Sequence, residues 1–539
     1  MPLPCWFVAR VARISRAWPH AAGALALAAS LACAPAPAHT AGEPELWFYE
    51  SANLADAQAL PRIEALWRRA AAAGYARVML ADARFARPSA QDAAYLAHVA
   101  RLHALADSLH LAVVPGVFTL GREDGALLSE DPNLAEALPV RGAHFVAQGG
   151  VARLVADPPV ALPAAMPMLE GVATRSNGVL TMSALTGRAR AGATLTVAPW
   201  RVYHLRVSIR TQDWRGSAQL RATSDGRELA FARVDVKANQ PWTACDAVFY
   251  SMAHTRVQVS FGDWHPGGGT IEWRDWSIDE AGPVNIVRRP DTPFTAAGLS
   301  EGRDFETVRD TLLGRSPWRG RFDTWHEPPV IRTRLPDGTV LRASWWGAAV
   351  MFGHQVAACP SDSAVLRRYM QEGQRVRELF GAKTMMLMHD EVRAMGGDPA
   401  CVRAGGDAGR ILAANVSACQ AAVRPAAACV WGDMFDPQQN AVPDYHLVTS
   451  DLSHAYGGLD PAITVVNWNL GHLEQSLRFF AARGHAQVIA GYYDGHLEDS
   501  RSWLPLLASV PRIRAVMYTT WQERYDDLEG FAKLVRSAR

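Results

Sequence analysis

The residues best suited to chemistry stand together in KTMMLMHDEVRAMGGDPAC, Lys383 to Cys401. Four apolar residues, Met385 to Met388, are followed at once by His389, Asp390 and Glu391. An apolar run that short, ending abruptly in charge, predicts a fully buried strand whose C-terminal end opens into a site. Adjacent carboxyl groups there suit general acid catalysis, one donating a proton while the other positions or stabilises a reacting group. The competing reading is purely structural, with Asp390 as the N-cap of a following helix.

Similar residue types end the later apolar segments. ACVWGDMFD supplies Trp431, Asp433 and Asp436; AITVVNWN supplies Asn467, Trp468 and Asn469. QVIAGYYD supplies Tyr492, Tyr493 and Asp494, and AVMYTTWQE supplies Trp521, Gln522 and Glu523. Indole and phenol rings stack on the C–H faces of sugars while carboxylates and amides bind hydroxyls. The expected ligand is therefore a carbohydrate, oligo- or polysaccharide. The expected binding residues are His389, Trp431, Asp433, Trp468, Tyr492, Asp494, Trp521 and Glu523, beside the catalytic pair Asp390 and Glu391. Neither a cofactor nor a metal is expected: the histidines His354, His389, His446 and His454 are scattered without ligand spacing, and no CxxC occurs.

The elements that must position these residues alternate. ELWFYES, ARVMLAD and HLAVVPGVF read as strands, separated by helices over about Ala57–Ala73 and Ser89–Leu109. SDSAVLRRYMQEGQRVRELF is a helix with Ser361 or Ser363 near its N-cap, and it feeds the Met385–Met388 strand. LEQSLRFFAARG, a segment before AVMYTTWQE, and DDLEGFAKLVRSA read as the late helices. Three strands before residue 120 and five after 380, alternating with helices, predict an α/β fold, a (β/α)8 TIM barrel with its chemistry at the strand C-termini.

From about Val172 to Arg289 the pattern turns all-β, with period-two segments such as YHLRVSIRTQ and RVQVSFGD between turn signals. This predicts a jelly-roll-like β-sandwich inserted after strand three, and its pattern resembles carbohydrate-binding modules. Trp214, Trp242, Trp264, Trp273 and Trp276 are its candidate sugar platforms, with core packing as the alternative for each. The PDG of RLPDGTVLRASWW reads as a hairpin turn outside the barrel. The expected division is residues 1–38 a signal peptide, 39–171 the first part of the barrel, 172–290 the sandwich, and 291–539 a linker and the rest of the barrel.

Composition is that of an ordinary globular chain: 539 residues, 49% hydrophobic, 20% charged. A net charge of +1 leaves no basic footprint for nucleic acid. Arg10, Arg13 and Arg16, then Ala21–Ala32, then APAPAHTAG follow the layout of a secretory signal cleaved after Ala38, which predicts a periplasmic or extracellular protein. Lipid anchoring at Cys33 is the weaker reading, because Ser30 stands where Leu is usual. No membrane span is expected. The mature part keeps Cys245, Cys359, Cys401, Cys419 and Cys429; Cys359 with Cys401 is the expected disulfide, five buried thiols the alternative. Oligomeric state is left open.

From CPSDSAVLRRYMQEGQRVRELF through MMLMHDE, with VWGDMFD and the terminal TTWQE, the sequence resembles the family 20 glycoside hydrolases, the β-N-acetylhexosaminidases. The likeness spans Cys359 onward. It implies that Glu391 is the general acid and that Asp390 orients a 2-acetamido group whose carbonyl oxygen attacks the anomeric carbon. It further implies that Trp431, Trp468 and Trp521 wall the sugar and that Glu523 binds hydroxyls. The chain departs from that pattern in lacking two glycines before Asp-Glu and in carrying Tyr49 and Glu50, not arginine, at the end of strand one. Two other readings stand beside it: a two-carboxylate glycosidase pairing Glu391 with Glu523, Asp494 or Asp433, and a secreted, non-catalytic glycan-binding protein.

Overall fold

The computed structural model describes residues 44–183, 187–234, 236–264 and 268–537, so the leader-like segment 1–38 lies outside it. Eight parallel strands close into a barrel in chain order. They are β1 (Glu45–Ser51), β2 (Arg77–Ala81), β3 (Ala112–Val117), β4 (Thr384–Leu387), β5 (Ala427–Trp431), β6 (Thr464–Asn467), β7 (Gln487–Ala490) and β8 (Ile513–Tyr518). Each is a short apolar run, as strands buried on both faces must be. Phe48, Val78, Val114, Met386, Val430, Val465, Ile489 and Val516 are all fully buried.

The strands end earlier than their sequences suggest. Asp433, Tyr492, Asp494, Trp521 and Glu523 stand in loops beyond the ladders. Glu391, Asp494 and Glu523 have φ of 50°, 56° and 55°, a left-handed conformation that turns the chain out of the sheet.

Helix α1 (Leu60–Ala72) buries Ile63, Leu66, Trp67 and Ala70, one stripe at helical spacing. α2 (Ala93–Ser108) starts four residues after the expected Ser89, because Pro88 opens a separate 3-10 turn, Pro88–Ala90. α3 (Ser363–Phe380) is capped by Asp362, which accepts from the Ala364 N–H at 2.7 Å, and not by Ser361 or Ser363. α4 (Pro399–Arg403) is capped by Asp398, so the helix-capping alternative for Asp390 falls away. α5 (Ala408–Val423), α6 (Leu473–Ala482), α7 (Leu506–Ser509) and α8 (Leu528–Ser537) complete the set.

Alternation is therefore incomplete. Between β5 and β6 the described residues hold no α-helix, only 3-10 turns at Asp433–Phe435 and Ala455–Gly458 and the two-residue strand Leu447–Val448, which pairs with Ala394–Met395. Between β7 and β8 the helix expected before AVMYTTWQE is reduced to the 3-10 segment Leu497–Ser502 and four-residue α7. Pro437, Pro443 and Pro461 in the first segment, and Pro505 in the second, remove donors that a longer helix needs.

The chain falls into two compact units. One comprises the residues up to Asp82, Ala93–Pro115 and Thr464 onward; the other comprises Ala83–Asp92 and Gly116–Ile463. The second carries β4, β5, α3 to α5 and every strand between β3 and β4.

Those intervening strands form three five-stranded sheets. Two of them hold the strands of the expected sandwich, extended upstream by Met168–Glu170. Leu180, Leu205, Leu220, Phe249, Val259 and Phe261 belong to one continuous apolar core. The third sheet was not anticipated. Its centre is Ala137–Gln148, in the Ala/Pro/Gly-rich stretch, paired with Val340–Ala348 and, through a Gly149–Gly150 hairpin, with Val151–Leu154. Both glycines have positive φ, as a two-residue hairpin of this kind requires. The PDG turn is present, with Thr339 N–H donating to Pro336 O at 3.1 Å. It is not a hairpin, since Ile331–Arg332 and Val340–Ala348 pair with other strands.

Of the five sandwich tryptophans, Trp214, Trp264 and Trp273 are buried. Trp276 donates its indole N–H to Pro163 O at 2.9 Å, and the Trp242 ring has the Arg274 and Arg210 guanidinium groups at 4.1 and 4.9 Å. No helix among the described residues is long and apolar enough to cross a membrane.

Candidate active site

In the second unit, the β4 ladder runs to Leu387, paired with Val430 and Val117. Met388 N–H still donates to Val117 O at 2.8 Å, and the chain then turns away. The turn lies against Gly121, where a Cβ would come within 2.4 Å of the Asp390 carbonyl oxygen, so only glycine fits. Adjacent strand residues face opposite ways, so Asp390 and Glu391 could not share a site from within β4. Their position beyond its end, with Glu391 at positive φ, removes that obstacle.

Three carboxyl groups gather there. Asp433, fully buried in the turn after β5, accepts the Glu391 N–H at 2.9 Å and the Asn440 amide at 2.8 Å on one oxygen. Burial and the charge of Asp390 push its carboxyl up to about 8. Asp390 is half-buried; burial, then the charge of Glu391, push it up to about 6, while Arg122 and Arg393 act the other way. Glu391 is ion-paired to Arg393 at 2.8 Å, with both side chains mostly buried. Arg393 also donates to Gln355 and lies 5.5 Å from the Phe352 ring centroid. Burial and the neighbouring charge of Asp390 thus leave Asp433 holding its proton near neutrality.

Arg393, Gln355 and Asn440 were missed from the sequence. Arg393 had a local signal, two residues beyond Glu391 in an extended stretch. Gln355 and Asn440 come from distant loops and carried none.

Two expected contacts are spent elsewhere. His389 is fully buried, with Nε2 2.8 Å from the side-chain Oδ1 of Asn415 in α5, and burial pulls its imidazole down to about 4. Trp431 is 1% exposed and donates its indole N–H to Met388 Sδ at 3.3 Å, so its ring is core and not wall.

The first unit carries the remaining residues at the ends of β1, β6, β7 and β8. Trp468 stacks on Tyr493 at 6.2 Å, Tyr493 meets Trp521 edge-on at 5.7 Å, and Trp521 lies 5.3 Å from Tyr49. The first three rings of this arc are half-buried. Asp494 accepts the Trp521 and Gln522 N–H groups at 2.6 and 3.2 Å and the Thr520 hydroxyl, so it shapes the loop after β8. Tyr492 is buried on Tyr518 at 4.2 Å and donates to Asp527 at 3.0 Å. Glu523 is exposed, 3.7 Å from Arg62. Glu50, noted only as a departure, is fully buried, takes the Trp67 indole N–H at 2.6 Å, and is pushed up to about 7 by burial.

No family model and no curated protein sequence matches the chain. Solved structures similar in part include a β-N-acetylhexosaminidase, 17% identical over 34% of this chain and 44% of that one, with a TM-score of 0.27. A rhamnosidase from Novosphingobium sp. PP1Y is 13% identical over 92% of this chain and 59% of that one, with a TM-score of 0.34. A CBM4 structure is 13% identical over 21% of this chain and 77% of that one, with a TM-score of 0.18.

Proposed function

We propose that the chain is an exported glycoside hydrolase acting on an oligo- or polysaccharide, with the loop after β4 as its reacting element. The observation that carries this reading is the carboxyl cluster itself. Asp390, Glu391 and Asp433 sit together at barrel strand ends, where the charge of one keeps another protonated, and glycosidic cleavage needs one acid and one anion. Asp390, half-buried and pushed up to about 6, is the proton donor to the leaving oxygen. Glu391, held by Arg393, is the anion that steadies positive charge developing on the sugar ring. These roles reverse those implied by the family 20 likeness. If the substrate carries a 2-acetamido group, its carbonyl oxygen is the nucleophile, a finer reading supported by the MMLMHDE and TTWQE likeness.

The test is turnover of a panel of aryl glycosides by wild type, Asp390→Asn and Glu391→Gln. A donor variant retains activity on activated leaving groups and loses it on poor ones; an anion variant loses both. Asp390→Asn is expected to show the first pattern, and its appearance in Glu391→Gln would restore the other assignment. Glycan binding by wild type with no turnover of any glycoside would replace this reading with the non-catalytic one. N-terminal sequencing of the protein from the extracytoplasmic fraction tests export, with a start after Ala38 expected.

A further inference from the structure

Away from the carboxyl cluster, three chain segments distant in sequence bring ligating groups together in the interior of the second unit. Glu136 precedes the strand Ala137–Gln148, Cys359 precedes α3, and Cys401 lies in α4. All three are buried. Their donor atoms lie within 4.8 Å of one another, Sγ to Sγ at 3.7 Å and Cys401 Sγ to a Glu136 oxygen at 3.5 Å. The expected Cys359–Cys401 disulfide is not formed; both are thiols. Around a tetrahedral Zn2+, with Zn–S of about 2.3 Å and Zn–O of about 2.0 Å, two sulfurs stand about 3.8 Å apart and a sulfur and an oxygen about 3.5 Å. Both measured edges match.

The ligands are also oriented from behind, as metal ligands are. The second Glu136 oxygen accepts the Gly397 and Asp398 N–H groups at 3.0 and 3.1 Å. Asp398 in turn accepts from Ala400 N–H at 2.9 Å, from Ala137 N–H at 3.3 Å and from Arg289.

We propose that Glu136, Cys359 and Cys401 form a binding site for a borderline-soft divalent cation, with Zn2+ the best fit. A cation there ties the segment after β4, which carries Asp390 to Arg393, to the start of α3 and to the unanticipated third sheet. The spacing of the ligands, with no CxxC and one carboxylate far upstream, is why the sequence did not announce the site.

The proposal stands apart from the hydrolytic reading, because metal content is read without turnover. Reduced full-length protein is incubated with Zn2+, desalted and assayed by mass spectrometry of the metal. A parallel Co2+ sample is scanned for thiolate-to-cobalt charge transfer. One equivalent of metal and a charge-transfer band are expected in wild type and in Cys245→Ser and Cys419→Ser. The Cys359→Ser, Cys401→Ser double variant should lose the band. Glu136→Gln should keep it with affinity lowered on the order of tenfold or more. The wild-type spectrum needs no variant to fold. Absence of uptake by reduced wild type, or a Cys359–Cys401 disulfide in unreduced protein, would overturn the proposal.

Discussion

Two sets of strand ends in the same barrel carry the same kinds of residue and use them differently. After β4 and β5, the carboxyl groups of Asp390, Glu391 and Asp433 are set against one another in a dry cluster with Arg393. After β7 and β8, Asp494 is satisfied by two N–H groups and a hydroxyl and serves as the framework for the aromatic ring Trp521. The first arrangement keeps charge in conflict, which is what proton transfer needs. The second removes conflict and holds rings still, which is what recognition needs. A carboxylate at a strand end thus says little until its partners are known.

The contrast breaks most visibly at Asp390. Asp390→Asn should lower kcat/KM on poor leaving groups by about 10²–10⁴-fold, the usual share of general acid catalysis. In wild type the proton is lost as pH rises through about 6, so activity should fall on that limb and the limb should vanish in the variant. Next is the ion pair. Arg393→Met leaves Glu391 mostly buried without its guanidinium, a loss of about 3–5 kcal/mol measured by denaturant unfolding. Adding Glu391→Gln to Arg393→Met should recover part of it.

The satisfied region should respond more gently and in a different quantity. Asp494→Ala strands two N–H groups and a hydroxyl and should cost about 1–3 kcal/mol of stability. Trp521→Ala should weaken glycan binding by about 0.5–1.5 kcal/mol, read as a rise in KM, with kcat on an activated substrate little changed. Equal effects of Asp494→Ala and Asp390→Asn on chemistry would erase the distinction between the two regions.

A last comparison is small at low pH and grows with it. Asp433 holds its proton up to about pH 8 when folded but releases it near pH 4 when unfolded. The folded state therefore binds more protons between those values, and this group makes stability fall as pH rises through that window. Asp433→Asn removes the dependence. Its melting temperature relative to wild type should climb from about pH 5 to pH 8, and a constant difference would show that Asp433 is not protonated in the folded protein.

Much of the frame was legible because short apolar runs ending in charge are what buried parallel strands require. Three such runs before residue 120 and five after 380 are the barrel strands. The sandwich strands were legible from period-two alternation. The third sheet was not, because Ala137–Gln148 begins ALPVRGA, where proline and glycine mask the alternation and Gly149–Gly150 supplies the turn. The helix expected before AVMYTTWQE is cut short, and regular alternation fails between β5 and β6, because prolines interrupt both stretches. At the candidate site, Asp390, Glu391 and Asp433 were legible as residue types after apolar runs. The fates of His389, Trp431 and Tyr492 were not, since ring orientation depends on Asn415, Met388 and Asp527, which no local pattern links to them.

The sequence by itself determined which segments must be buried and which residue types stand at their ends, because apolar periodicity and strand burial are local properties of the chain. Only the tertiary structure decided which carboxyl is opposed, which is paired and which is satisfied. It alone brought Glu136, Cys359 and Cys401 within reach of one another. The energy of a buried charge or a ligating thiol depends on neighbours a few ångströms away that come from hundreds of residues along the chain.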